Sequence, residues 1–223
     1  MTRLHSIAIR AVSCLRHCGV WALIALWLLT AAGGLYCAVD YELRPGLSLK
    51  APSSWPPASK VKLASSATTL VMFVHPECPC TRASLAELSN IEEHCGAKVY
   101  IRLVLVKPAG LDVEWRDSQI WTSVLNVPHA EIVYDPDGKE AARFGATSSG
   151  WTLAYNHEGR LLFAGGITGA RGHYGPSAGS EALLAAVEQQ STTRSAAIFG
   201  CPLTNGTSKA CRCSKYAKHS DER

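Results

Sequence analysis

The 223-residue chain has one long uninterrupted apolar stretch and then a series of short ones. Gly19 to Val39 carries no charged residue. A bilayer is crossed by a helix of about 20 apolar residues, so this stretch predicts a single transmembrane helix. From Lys60 onward the pattern changes to short segments with strand or helix periodicity. Leu70 to Val74 is apolar throughout and predicts a buried strand over 69–75. Behind it, Ala83, Leu85, Leu88 and Ile91 recur at helical spacing and predict a helix over 80–94. Lys98 to Val106 is rich in β-branched residues and predicts a second strand, broken by Lys107-Pro108-Ala109-Gly110. A helix is expected over Asp117 to Leu125 and a strand over Glu131 to Tyr134, ended by the turn Asp135-Pro136-Asp137-Gly138. A short helix, Lys139 to Phe144, is stopped by Gly145. Strands at Trp151 to Tyr155 and Leu161 to Ala164 flank Asn156-His157-Glu158-Gly159, a hairpin signal. Ser180 to Gln189, with Leu183, Leu184 and Val187 on one face, predicts a closing helix, and Val61 to Ala64 an edge strand. The order β-α-β-α-β-α-β-β-α belongs to an α/β domain with a central sheet covered by helices.

Charge and composition set the boundaries. Residues 1–18 carry Arg3, Arg10 and Arg16 and no acidic residue. Positive charge before the span predicts a cytoplasmic N-terminus, with the remainder periplasmic or otherwise extracytoplasmic. Thr30-Ala31-Ala32 offers small residues for signal cleavage, but the apolar run is long for a signal peptide and favours an anchor over 19–39. Tyr36 is too bulky before Cys37 for a lipidation site. Residues 40–59 hold Pro45, Pro52, Pro56 and Pro57 and read as a Pro/Ser-rich spacer. The domain then spans 60–190, and 191–223 forms a cysteine-containing tail of little periodicity. The net charge of +4 is dispersed, with no basic stripe, which argues against a nucleic-acid partner.

Nine cysteines are many for this length. Six of them, Cys78, Cys80, Cys95, Cys201, Cys211 and Cys213, follow the apolar segment, and an oxidising compartment would let them form bridges. Cys78 and Cys80 sit where a strand stops and a helix begins. Unpaired N–H groups and the positive end of the helix dipole favour a thiolate there, and Pro79 suits a tight first turn. The functional reading is a redox pair, and the alternative is two buried or separately bridged cysteines. A C-x-C bridge closes a small ring, so its bond should be strained and easily reduced. Protonated His75 would lower a neighbouring thiol's pKa, while Glu77 would raise it or relay protons. Gly150 permits an unusual backbone before the strand at Trp151. Arg171 and His173, in a glycine-rich loop, would contact substrate or support a thiolate, or else be solvated loop residues. Cys201, Cys211 and Cys213 would form a structural bridge, reach back to Cys78 as a resolving partner, or add ligands to a metal site. Cys95 ends a helix and is expected to be buried or bridged.

Phe73 through Cys80 resembles the strand-to-active-site segment of the thioredoxin-like superfamily, with one residue missing between the cysteines. The match runs over roughly residues 60–190 and implies a thioredoxin-like central mixed sheet. It also implies that Cys78 is the nucleophile and Cys80 the resolving thiol, acting on protein thiol or disulfide substrates. The family's usual cis-proline would fall near Thr147-Ser148-Ser149-Gly150-Trp151, where there is no proline but where the backbone can still bind a substrate chain. The stretch HPECPCTRAS is also similar to a small group of membrane-tethered bacterial proteins labelled RedB-type. The expectation is a membrane-anchored thiol–disulfide oxidoreductase with no cofactor and no assigned metal. The alternatives are a metal carrier using Cys78 and Cys80 with His75 or His173, or a redox-inactive binding module.

Overall fold

The computed structural model describes residues 2–47, 49–107, 114–189 and 193–203. It falls into two compact units, Met1–Glu42 and Leu43–Arg223. The first is helix α1 (Thr2–Leu43). Within it Gly19–Leu43 is long and apolar enough to cross a membrane, with a mean hydropathy of 2.0 and no buried share.

The second unit is built around β1 (Thr68–Val74). It runs parallel to β2 (Val99–Lys107) on one side and antiparallel to β4 (Trp151–Tyr155) on the other. β3 (Glu131–Pro136) extends the sheet parallel to β2. β5 (Leu161–Gly165) pairs antiparallel with β4, and the two-residue β6 (Arg194–Ser195) lies parallel to β5. The order is β3-β2-β1-β4-β5-β6. A parallel βαβ unit and an antiparallel hairpin thus share a central strand, as a thioredoxin-like mixed sheet requires.

All seven residues of β1 are buried, because both faces of the sheet are covered. Strand side chains alternate between faces. Leu70, Met72 and Val74 enter one cluster with Leu85, Leu88 and Ile91 of α2 (Thr81–Cys95) and Leu183 and Val187 of α5 (Ala178–Gln189). Val71 and Phe73 enter the other, with Phe144, Leu153 and Tyr155. The helical spacing read from α2 is therefore its buried face. α4 (Lys139–Arg143) begins where Asp135 accepts the Glu140 and Ala141 N–H groups, each at 2.9 Å.

Three readings are corrected. Val61 to Ala64 forms no strand. Val61 is buried against the second cluster, but the backbone bonds side chains: the Ala64 N–H donates to Thr69 Oγ1 at 2.9 Å, and Arg102 Nε to the Lys62 carbonyl at 3.2 Å. The helix expected over 117–125 is broken into a 3-10 turn, Trp115–Asp117, and the short α3 (Trp121–Leu125), because Ser118 is extended at ψ 145°. The tail supplies β6 and buries Ile198, Cys201 and Leu203. Packing within the second unit reaches beyond 60–190 on both sides. Ala51 is buried, and Trp55 stands edge-on to Phe144 and Tyr155 at 5.2 and 5.1 Å. Cys211 and Cys213 lie outside the described residues.

Candidate active site

Cys78 and Cys80 lie in the turn between β1 and α2. The Cys78 N–H donates to the His75 carbonyl at 3.2 Å. The Thr81, Arg82 and Ala83 N–H groups donate to the carbonyls of Cys78, Pro79 and Cys80 at 3.2–3.3 Å. This tight turn corrects the expected source of thiolate stabilisation. The first amides of α2 have acceptors three residues back and are not left free for a sulfur.

The donors to Cys78 come from elsewhere. Its thiol is held well below the ordinary cysteine range, first by a hydrogen bond from the Cys201 side chain, then by one from Cys80. Burial opposes them, and the Thr81 hydroxyl and the Cys201 backbone N–H add to them. Cys80 moves the other way. Its bond with Cys201 pulls its pKa down, but the bond to Cys78, burial and the charge on Cys78 outweigh that and Arg171. The arrangement favours the deprotonated form at Cys78 over that at Cys80. The three Sγ atoms lie within 4.8 Å of one another, and Cys37, Cys78, Cys80, Cys95 and Cys201 are unbridged.

Burial distinguishes the three cysteines. Cys78 has no exposed surface, while Cys80 and Cys201 each retain 9 %. The first thiol of the pair is not the more exposed one. Cys201 packs with it in one buried cluster.

The segment carrying Cys201 is seated on the loop before β4. The Ser149 N–H donates to the Cys201 carbonyl at 2.8 Å, and the Leu203 N–H to the Thr147 carbonyl at 2.9 Å. Ser148 and Pro202 form an antiparallel bridge. Ser149 Oγ also accepts the His75 N–H at 2.9 Å and lies 2.7 Å from Thr81 Oγ1. Gly150 has φ +86°, and its N–H donates to the Phe73 carbonyl at 2.7 Å, tying the loop to the end of β1. A Cβ at Gly150 would approach Ser84 Oγ at 3.0 Å, so the conformation and the space both call for glycine.

The remaining candidates separate. His75 is buried, its Nδ1 accepting the Glu77 N–H at 3.2 Å. Burial lowers its pKa against the pull of the Cys78 and Glu77 charges, which disfavours the protonated form expected from the sequence. Glu77 and Pro79 are exposed. Arg171 reaches the site by holding the Cys201 segment. Its guanidinium donates to the Gly200 carbonyl at 2.7 Å and to the Arg44 carbonyl at 3.3 Å. His173 is exposed with Nδ1 3.3 Å from the Arg171 carbonyl. Neither His75 nor His173 belongs to the three-sulfur cluster. Cys95 is buried at the far end of α2, where burial raises its pKa. Ser149 and Thr81 were missed by the sequence reading as site residues. Cys201 was seen but not placed, and the one signal was the apolar Ile198-Phe199 beside it in a polar tail.

No family model matches the chain, and no curated protein does. Solved structures do. A hypothetical protein from Sinorhizobium meliloti 1021 is 17 % identical at a TM-score of 0.56, over 70 % of this chain and 96 % of that one. An uncharacterized conserved protein from Geobacillus kaustophilus is 16 % identical at 0.54, over 74 % and 94 %. A thioredoxin-like protein from Aeropyrum pernix is 15 % identical at 0.44, over 73 % and 99 %. The fold is thioredoxin-like. The strand order and directions carry that statement, and at these identities likeness extends to architecture alone.

Proposed function

We propose that this chain is a membrane-anchored thiol–disulfide oxidoreductase acting on protein substrates outside the cytoplasm. Cys78 is the attacking thiolate, with Cys80 beside it as a thiol. One observation carries the reading: Cys78 is held below the ordinary cysteine pKa by neighbouring thiols and the Thr81 hydroxyl, at a strand-to-helix junction. A thiolate is the nucleophile of disulfide exchange. His75 stays neutral beside it, and Gly150 fixes the facing loop. The Gly19–Leu43 helix serves as the anchor in this reading, and Arg3, Arg10 and Arg16 ahead of it support a cytoplasmic N-terminal side. The RedB-type resemblance of HPECPCTRAS agrees with such tethering. The test is insulin reduction by the full chain in detergent micelles. Wild type turns over, and C78S abolishes turnover. Turnover unchanged in C78S, or absent from wild type, sinks the assignment and leaves a redox-inactive binding module.

A second reading has its own observation. Three sulfurs within 4.8 Å of one another are also a donor set for a soft cation such as copper(I). It replaces the His75 and His173 ligands expected from sequence by Cys201. Stoichiometric metal in anaerobically purified chain, lost in C201S, supports it.

A further inference from the structure

Resting on the exchange reading, we propose that Cys201 is the in-chain disulfide partner of Cys78. The segment Gly200–Leu203 then occupies the exchange site as a built-in peptide, and the oxidised chain is closed by a Cys78–Cys201 bond.

Three independent features place that segment. Its backbone pairs antiparallel with the 147–149 loop through two N–H···O bonds and the Ser148–Pro202 bridge. This is the loop whose backbone the sequence marked as able to bind a substrate chain, and an extended peptide adds to a free backbone edge by such bonds. Gly200 has to be glycine, because a Cβ there would overlap the Ser149 carbonyl oxygen. Arg171 holds the Gly200 carbonyl at 2.7 Å. Together they deliver the Cys201 sulfur to the Cys78 sulfur.

The two candidate bridges differ in ring size. Cys78–Cys80 encloses one intervening residue, and its small ring conflicts with relaxed disulfide geometry. Cys78–Cys201 closes over more than a hundred residues and carries no such constraint. The exchange balances as follows. Cys78 thiolate attacks one sulfur of a substrate disulfide, and the first substrate sulfur leaves as a thiolate and takes a proton. Cys201, giving up its proton, attacks the Cys78 sulfur of the mixed disulfide. The second substrate sulfur leaves and takes that proton. The substrate gains two electrons and the chain loses two, now stored as a Cys78–Cys201 bond. If the Cys78–Cys80 bond forms first, Cys201 attacks Cys78, Cys80 leaves with the proton, and no electrons enter or depart.

The experiment is peptide mapping of the full chain in detergent, equilibrated in glutathione buffers, alkylated and digested with trypsin. Cleavage after Lys62, Arg82, Arg194 and Lys209 puts Cys78 and Cys80 on one peptide and Cys201 on another. The expected result is a cross-link between peptides 63–82 and 195–209 that persists in C80S. Its loss in C201S should shift the half-oxidation glutathione ratio about tenfold toward oxidising buffers, since only the strained bond remains. G200A, which pushes the segment off the loop, should lower the cross-linked fraction although the Cys201 thiol itself is retained. Wild type oxidised between Cys78 and Cys80 with Cys201 alkylated overturns the inference and leaves the exchange reading standing. No bridge among the three thiols at any ratio overturns both.

Discussion

Two segments bring cysteines to the same point, and they are held by different means. Residues 75–80 are the continuation of β1, all of whose side chains are buried between two clusters. Residues 200–203 are held by backbone bonds to one loop, by Arg171 and by the buried Leu203. The first is fixed by the whole core, the second by local contacts. On the proposed exchange reading, the difference offers a route by which a thiol without exposed surface would meet a substrate. The framework side stays put, and the Cys201 segment is the part a substrate chain can compete with.

Mutations can break this contrast. Phe73→Ala should cost the most, about 3–5 kcal/mol, because it opens the β1 core that fixes the Cys78 side. Urea unfolding would register it as a lowered midpoint, and an unchanged midpoint would contradict the contrast. Leu203→Ala removes a fully buried side chain of the other segment. It should cost only about 2 kcal/mol, the low end for such truncations, because the segment can detach locally. Amide exchange should locate the loss, with the Ser149 N–H losing protection and β1 amides keeping theirs.

Ser149→Ala sharpens the comparison from the middle. It leaves the His75 N–H without its acceptor but keeps the Ser149 N–H bonded to Cys201. The expected cost is about 1–2 kcal/mol, with the 63–82 to 195–209 cross-link retained. Loss of that cross-link would show that the hydroxyl, and not the backbone, seats the segment.

The smallest effect is on pH dependence. Cys78 has a native pKa below its unfolded one, so its contribution is complete above the unfolded value and fades as pH falls through the native value. His75 is also lowered, so its contribution is complete above about 6.5 and fades below that, toward its native value. Stability of the reduced chain should therefore decline with acidification. C78S should flatten the decline above about 6.5, where His75 contributes none of it, which denaturant melts across a pH series would resolve.

The framework side was legible in the sequence because its forces are local and periodic. Strand 69–75 and helix 80–94 each lie within a residue of the observed bounds, and Trp151–Tyr155 matches them. The apolar run of β1 and the i, i+3, i+4 spacing of α2 record burial directly. The Cys201 side left no such record. A two-residue strand has no measurable period, and Gly200 is chosen by a carbonyl fifty-one positions away. Val61 to Ala64 misled for the opposite reason, since Val61 and Ala64 are buried there while the backbone bonds side chains. The pKa order of the two thiols was also out of reach, because the strongest influence on each is Cys201.

The absence of proline before β4 has a positive side. Proline carries no backbone hydrogen to donate. At position 149 it would delete the bond to the Cys201 carbonyl, and with it one of the two amide rungs that seat the Gly200–Leu203 segment. A thioredoxin-like chain with proline at this place and one with a docked third sulfur are thus competing solutions: the imino acid leaves the ledge clear for visitors, and serine furnishes it with a tenant from the same chain.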